Sequence, residues 1–193
     1  MTYELGVDVS KWQTPEKVNW RKIKGSGYSF VFARYSYGVQ IDSTFFSHNL
    51  RAMNAGLRIA GYQYMVPQHN IAIQAKLASQ IASDLDMPFA LDIEQAGLSR
   101  SMIDDWIGQF LLNSPHLIIY TSKFKWLQCY GTAIHTYASR LPLWVANYTT
   151  AEQPMLPSGW STWTYWQYSS TGRIDGYNGD IDLNRCKPPW TPK

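Results

Sequence analysis

Short apolar runs alternate with helix-like segments along the first two thirds of this chain, and that rhythm restricts the fold more than any other feature. Residues 4–9, 28–36, 57–64, 88–93 and 116–120 read as strands, the second (YSFVFARYS) rich in β-branched and aromatic residues. Residues 18–24, 44–55, 71–85, 99–113 and 122–129 read as helices. Phe46, Leu50 and Met53 recur at helical spacing in 44–55, and Gly56 fits the position just past that helix. Ile73, Leu77 and Ile81 share a face of 71–85, as do Ile103, Ile107 and Phe110 of 99–113, where Ser99 or Ser101 suits the N-cap.

After residue 130 the rhythm changes. Residues 143–146, 164–168 and 180–183 read as strands among prolines and glycines, with little helical pattern between them. Five strand–helix pairs followed by about three strands predict an irregular, TIM-like parallel β/α barrel of about eight strands whose last third lacks helices. A doubly wound open sheet is the structural rival, weakened because no GxGxxG or P-loop follows the first strand. The expected domain covers residues 1–186. The Pro-rich tail 187–193 reads as the start of a linker to a wall-binding domain.

Phe89-Ala90-Leu91-Asp92-Ile93-Glu94 is an apolar strand ending in two carboxylates spaced by one residue. Side chains alternate across a strand, so Asp92 and Glu94 share a face with backbones about 7 Å apart. Buried charges are costly, which makes a purely structural pair unfavourable. Close carboxylates push each other's pKa values apart, so that one can hold a proton near neutral pH while the other ionises. Acid-assisted glycosidic cleavage requires that combination.

In a barrel the chemistry gathers at the C-terminal ends of the strands. Those ends supply Asp8, Tyr62, Tyr64, Asp92, Glu94, Tyr120, Trp144, Asn147, Trp166, Gln167, Tyr168 and Asp182. Each has an ordinary structural explanation alone, such as a helix cap for Asp8, an Asx turn for Asp182 or core packing for Tyr62 and Tyr64. Together on one rim they point to a site. Tyr62, Tyr64, Tyr120, Trp144 and Trp166 are candidate sugar-contacting walls, with Asn147 and Gln167 as polar substrate contacts. The composition suits this, since nine Trp and thirteen Tyr exceed what most chains of 193 residues carry. Aromatic faces stack on the C–H faces of pyranose rings.

Other classes are less well served. Asp8, Asp92, Glu94 and Asp182 could together bind a divalent cation through oxygen ligands. His48, His69, His116 and His135 show no paired ligand spacing, so no metal site and no cofactor are expected. There is no GxSxG elbow. Cys129 and Cys186 lack CxxC spacing and read as buried thiols that could form one disulfide. A net charge of +3 without a long Lys/Arg cluster argues against nucleic acid. No apolar run approaches the about 20 residues of a membrane span. No signal peptide is visible, so cytoplasmic synthesis is expected, and the chain is expected to act as a monomer.

Four blocks resemble the glycoside hydrolase family 25 lysozymes, muramidases common among phage endolysins. Gly6-Val7-Asp8-Val9-Ser10-Lys11-Trp12-Gln13 is similar to the family's opening DVSxxQ, and Ala90-Leu91-Asp92-Ile93-Glu94 to its DxE strand. Leu143 to Tyr148 resembles its WxAxY strand, and Trp166-Gln167-Tyr168 through Asp180-Ile181-Asp182-Leu183-Asn184 its WQY…D.N closure. The resemblance spans essentially the whole chain. It implies an irregular β/α barrel cutting the β-1,4 bond from N-acetylmuramic acid to N-acetylglucosamine in bacterial peptidoglycan, after phage-type release to the wall. It places Glu94 as general acid, raised by Asp92 and partial burial, and Asp92 as the ionised partner, acting as nucleophile or supporting the substrate's own acetamido group. It places Asp8 and Asp182 as the other acids of the pocket. Tyr62-Gln63-Tyr64 departs from the family's Tyr-His-aromatic, and residue 63 should point away from the site. A chitinase-like or glucosaminidase hydrolase, or an inactive wall-binding module, are the alternatives.

Overall fold

The computed structural model describes residues 3–132, 137–138 and 140–187. His135 and the tail beyond Lys187 lie outside the described residues. In chain order the elements are β1 (Glu4–Val9), a 3-10 turn (Pro15–Lys17), α1 (Trp20–Gly25), β2 (Tyr28–Tyr37), β3 (Gln40–Ile41) and α2 (Phe45–Asn54). Then come β4 (Arg58–Tyr64), α3 (Ile71–Asp84), β5 (Phe89–Asp92), α4 (Arg100–Leu111), β6 (Leu117–Thr121) and α5 (Lys123–Tyr130). The chain closes with β7 (Leu143–Ala146), β8 (Tyr165–Ile174) and β9 (Tyr177–Cys186).

The described strands form one sheet in the order β1-β9-β8-β7-β6-β5-β4-β2-β3, and a β1–β2 pairing closes it into a barrel, which excludes the open doubly wound sheet. The barrel is mixed, not all parallel. β8 and β9 form a long antiparallel hairpin, and β9 also runs antiparallel to β1. A tight turn replaces the missing last helix, and a hairpin can only return antiparallel. Both strands are therefore ten residues long where the sequence shows only short cores at 164–168 and 180–183.

Asn70, Ser99 and Ser122 cap α3, α4 and α5 through their side chains. The main core lies between barrel and helices, while Phe30, Phe32, Ala60, Trp144 and Tyr165 fill the barrel itself. Two helices turn differently from their apolar spacing. Phe46, Leu50 and Met53 of α2 are 57%, 56% and 54% exposed, and α2 instead buries Phe45, His48, Asn49 and Ala52. Phe45 packs edge-on to Tyr35 of β2, and His48 bonds the carbonyl of Gln13 at 2.7 Å; those contacts set the rotation. In α3, Ile73 is exposed and small residues, Ala75, Ala78 and Ala82, enter the main core, with Leu77 and Ile81 partly buried beside it. Cys129 and Cys186 are both free thiols.

Gln63 is fully buried on the outer face of β4. Its amide donates to Ser36 Oγ (2.7 Å), Gly38 O and Gln74 O (both 3.1 Å), and its Oε1 accepts from Trp106 Nε1 (2.7 Å). The departure from the family's histidine is thus absorbed in a hydrogen-bond hub beneath α3 and α4.

The β8–β9 turn docks on α1, where Asn19 N donates to Gly176 O at 2.8 Å. Gly176 has φ +106°, and a Cβ there would stand 2.7 Å from the Asn19 carbonyl. Gly176→Ala is expected to cost about 1–3 kcal/mol, measured as a lower urea midpoint. An unchanged midpoint would show that the hairpin tip is not held on α1.

Candidate active site

Strand alternation and register deliver one ring of side chains at the C-terminal mouth. Asp8 on β1 lies opposite Asp182 on β9, and Tyr64, Asp92 and Tyr120 are register neighbours on β4, β5 and β6. Gln167 and Asn184 pair across β8 and β9. Asp182 sits mid-strand, since β9 runs the other way, yet it reaches the same layer.

The ring is tied by an amide network. Asn184 Nδ2 and Gln167 Nε2 donate to Asp8 Oδ2 at 2.7 and 2.9 Å, and Gln167 Nε2 also reaches Asp182 Oδ2 at 3.2 Å. Gln167 Oε1 accepts from the hydroxyls of Tyr120 and Tyr148, both at 2.8 Å. Trp144 Nε1 fixes Asn184 through its Oδ1 at 2.8 Å. Each amide therefore has one orientation that satisfies every partner. Asp8 already has its amide donors. Among the described residues no group of three or more His, Cys, Asp or Glu is arranged to hold a metal ion.

Burial is the first cause of every carboxylate shift here. It raises Asp8, opposed by the hydrogen bonds from Asn184, Gln167 and Asp182. It raises Asp182, reinforced by the charge of Asp8, so the proton of this pair rests on Asp182. Asp92 is buried and held well above its ordinary value by desolvation, then by Glu94 and Asp8, with Arg34 opposing. Its Oδ1 is buried without a hydrogen-bond partner. Glu94, just past β5, is open to solvent on one side. It is raised by desolvation from the pocket walls and then by Asp8, with Arg34 and Lys125 opposing. Both carboxyls are thus raised, and Asp92 is the deeper of the two. The phenols of Tyr62 and Tyr120 are pushed far up by burial and remain neutral.

The other predicted residues divide. Tyr62 is buried close enough to Asp8, Asp92 and Asp182 to feel their charges. Tyr64 stacks on Tyr37 (centroids 4.8 Å apart) and donates to Gln95 Oε1 at 2.6 Å, beside Glu94. Trp144, the register partner of Tyr120 on β7, is buried and stacked on Phe32 at 4.1 Å in the cluster that fills the barrel. Trp166 is not brought to the site. It is buried outside the barrel against Trp163, because alternation sends Tyr165 and Gln167 inward and Trp166 outward. Asn147 spends its side-chain oxygen on Met155 N at 2.8 Å, shaping the loop after β7.

Arg34, Tyr148, Gln95 and Asn184 are additional members. Asn184 could have been found by parity, two residues from Asp182 on one strand. Arg34 could not, because its partner is Asp42, across the β2–β3 turn. Arg34 Nε and Nη2 reach Asp42 Oδ2 at 3.0 and 2.9 Å in a buried ion pair. Desolvation works against ionised Asp42, but donors from Thr44 and Lys11 N and the Arg34 charge hold its carboxyl below the ordinary value.

Residues 7–177 match the model of glycosyl hydrolases family 25. The chain is similar to Lysozyme M1 of Streptomyces globisporus, 33% identical over 93% of this chain and 66% of that protein, so it spans about two thirds of that relative's length. The bacterial lysozyme of Streptomyces coelicolor superposes with TM-score 0.84 at 30% identity, covering 98% of this chain and 94% of the other. A family GH25 lysozyme from Aspergillus fumigatus gives TM-score 0.84 at 29% identity, covering 98% and 96%.

Proposed function

This chain belongs to glycosyl hydrolases family 25, and on that premise we propose that it is a muramidase, cutting the β-1,4 bond between N-acetylmuramic acid and N-acetylglucosamine in bacterial peptidoglycan. The observation that carries this reading is the pair of Asp92, buried at the end of β5 with an unpartnered Oδ1, and Glu94, exposed two residues further on, just past the strand.

Glu94 is the general acid, because it is the carboxyl a leaving oxygen can reach from solvent. Glu94 is near enough for its charge to raise Asp92, and the productive state has the proton on Glu94 and the charge on Asp92. Bound substrate favours that state. An acetamido N–H can satisfy Asp92 Oδ1, and positive charge developing at the anomeric carbon stabilises the ionised form. Asp8 and Asp182, locked by Gln167 and Asn184, fix the opposite wall. Tyr62, Tyr64 and Tyr120 remain the candidate sugar contacts, and Tyr148 joins them.

Substrate preference tests the reading against its rival. Reducing ends are expected from purified peptidoglycan and not from chitin. Preferential release from chitin would favour the chitinase-like alternative, and binding to walls without any release would favour an inactive module. Among the described residues no helix is long and apolar enough to cross a membrane.

A further inference from the structure

The loop after β1 presents an exposed indole on an anchored turn of backbone. Trp12 is 74% exposed. Single exposed apolar residues are ordinary on protein surfaces; the anchoring of this one is not. Ser10 N donates to Gln13 Oε1 and Gln13 N to Ser10 O, both at 3.0 Å, closing a turn around Lys11 and Trp12. Lys11 N donates to Asp42 Oδ2 at 2.9 Å, the same oxygen that holds Arg34. His48 Nε2 bonds the Gln13 carbonyl at 2.7 Å. Lys11 Nζ lies 5.2 Å from the indole centroid, over the ring, and the high exposure leaves the opposite face open. Two residues before this turn, on the strand it continues, Asp8 and its buried neighbours line the pocket.

We infer that Trp12 is a distal sugar platform, stacking its open face on a pyranose of the glycan strand outside the bond being cut. This rests on the muramidase reading. The occupant follows from continuity and chemistry. A polymer threaded over the mouth must leave along the rim, and an exposed indole presents the flat apolar face that a pyranose C–H surface matches. Holding the backbone that carries the indole in advance lowers the ordering cost of binding. The family's opening DVSxxQ leaves positions 11 and 12 open, so the resemblance assigns Trp12 no role.

The test uses the full chain carrying Glu94→Gln, so that ligand is not consumed, and titrates a soluble octasaccharide of alternating N-acetylglucosamine and N-acetylmuramic acid. Adding Trp12→Ala is expected to weaken binding roughly tenfold, the scale of one aromatic contact. Trp12→Tyr is expected to recover most of that loss. Affinity within twofold of the Glu94→Gln parent for Trp12→Ala would overturn the platform while leaving the muramidase reading intact. No octasaccharide binding by the parent itself would overturn the muramidase reading and this inference with it. Equal thermal melting of all three proteins separates lost contact from lost fold.

Discussion

Glu94→Gln is expected to lower peptidoglycan hydrolysis by roughly 10²–10⁴-fold, the contribution of a positioned general acid. The glutamine keeps the shape and removes the transferable proton. Glu94 is exposed just past β5, so the melting temperature should hardly move. That separation makes the variant informative, because a loss of rate accompanied by unfolding would say nothing about acid catalysis. Turnover within a few-fold of wild type by the folded variant would remove Glu94 from the chemistry.

Asp92→Asn should act on rate and stability in opposite directions. The loss of a charge aimed at the developing cation is expected to cost about 10²–10³-fold in rate. The stability effect follows from the raised Asp92 pKa, caused first by desolvation and then by Glu94 and Asp8. A carboxyl whose folded pKa lies above its unfolded value favours the native state fully at pH below the unfolded pKa, near 4. That contribution is lost as pH rises through the folded pKa. Asparagine does not titrate and keeps it. The variant should therefore match wild type below pH 4 and exceed it in stability and melting temperature at pH 8. Melting curves at both pH values check this. A variant less stable than wild type at pH 8 would mean that Asp92 is ionised and satisfied in the free protein.

The strand–helix rhythm and the Asp92–Glu94 strand were readable because alternation is a local rule, and each strand carries it within a few residues. The closing hairpin was less so. Its strand cores at 164–168 and 180–183 are visible, but the direction of the last strand depends on the tight turn at Gly176, seated on α1 from the other end of the chain. Helix rotation was also hidden. Phe46, Leu50 and Met53 have apolar spacing that fits an inward or an outward face equally, and the choice was made by Tyr35 against Phe45 and by His48 against Gln13. Within the site, naming Trp166 beside Gln167 overlooked the parity rule that the DxE argument used. Neighbours in a strand cannot both face one pocket, and Gln167 took the inward place. The Arg34–Asp42 pair left no local trace, since the two residues stand on either side of the β2–β3 turn and only the fold places them within 2.9 Å. That Asp92 lies deeper than Glu94 is likewise not given by strand alternation alone.

The most direct measurement of the central claim is the identity of the sugar at each new end. Purified peptidoglycan would be digested with the full chain and with its Glu94→Gln form, the products reduced with borohydride and identified by mass. Fragments ending in reduced N-acetylmuramic acid, formed by the wild-type chain and absent with Glu94→Gln, are the expected result. Fragments ending in reduced N-acetylglucosamine, or the same muramic ends formed at an undiminished rate without Glu94, would contradict it.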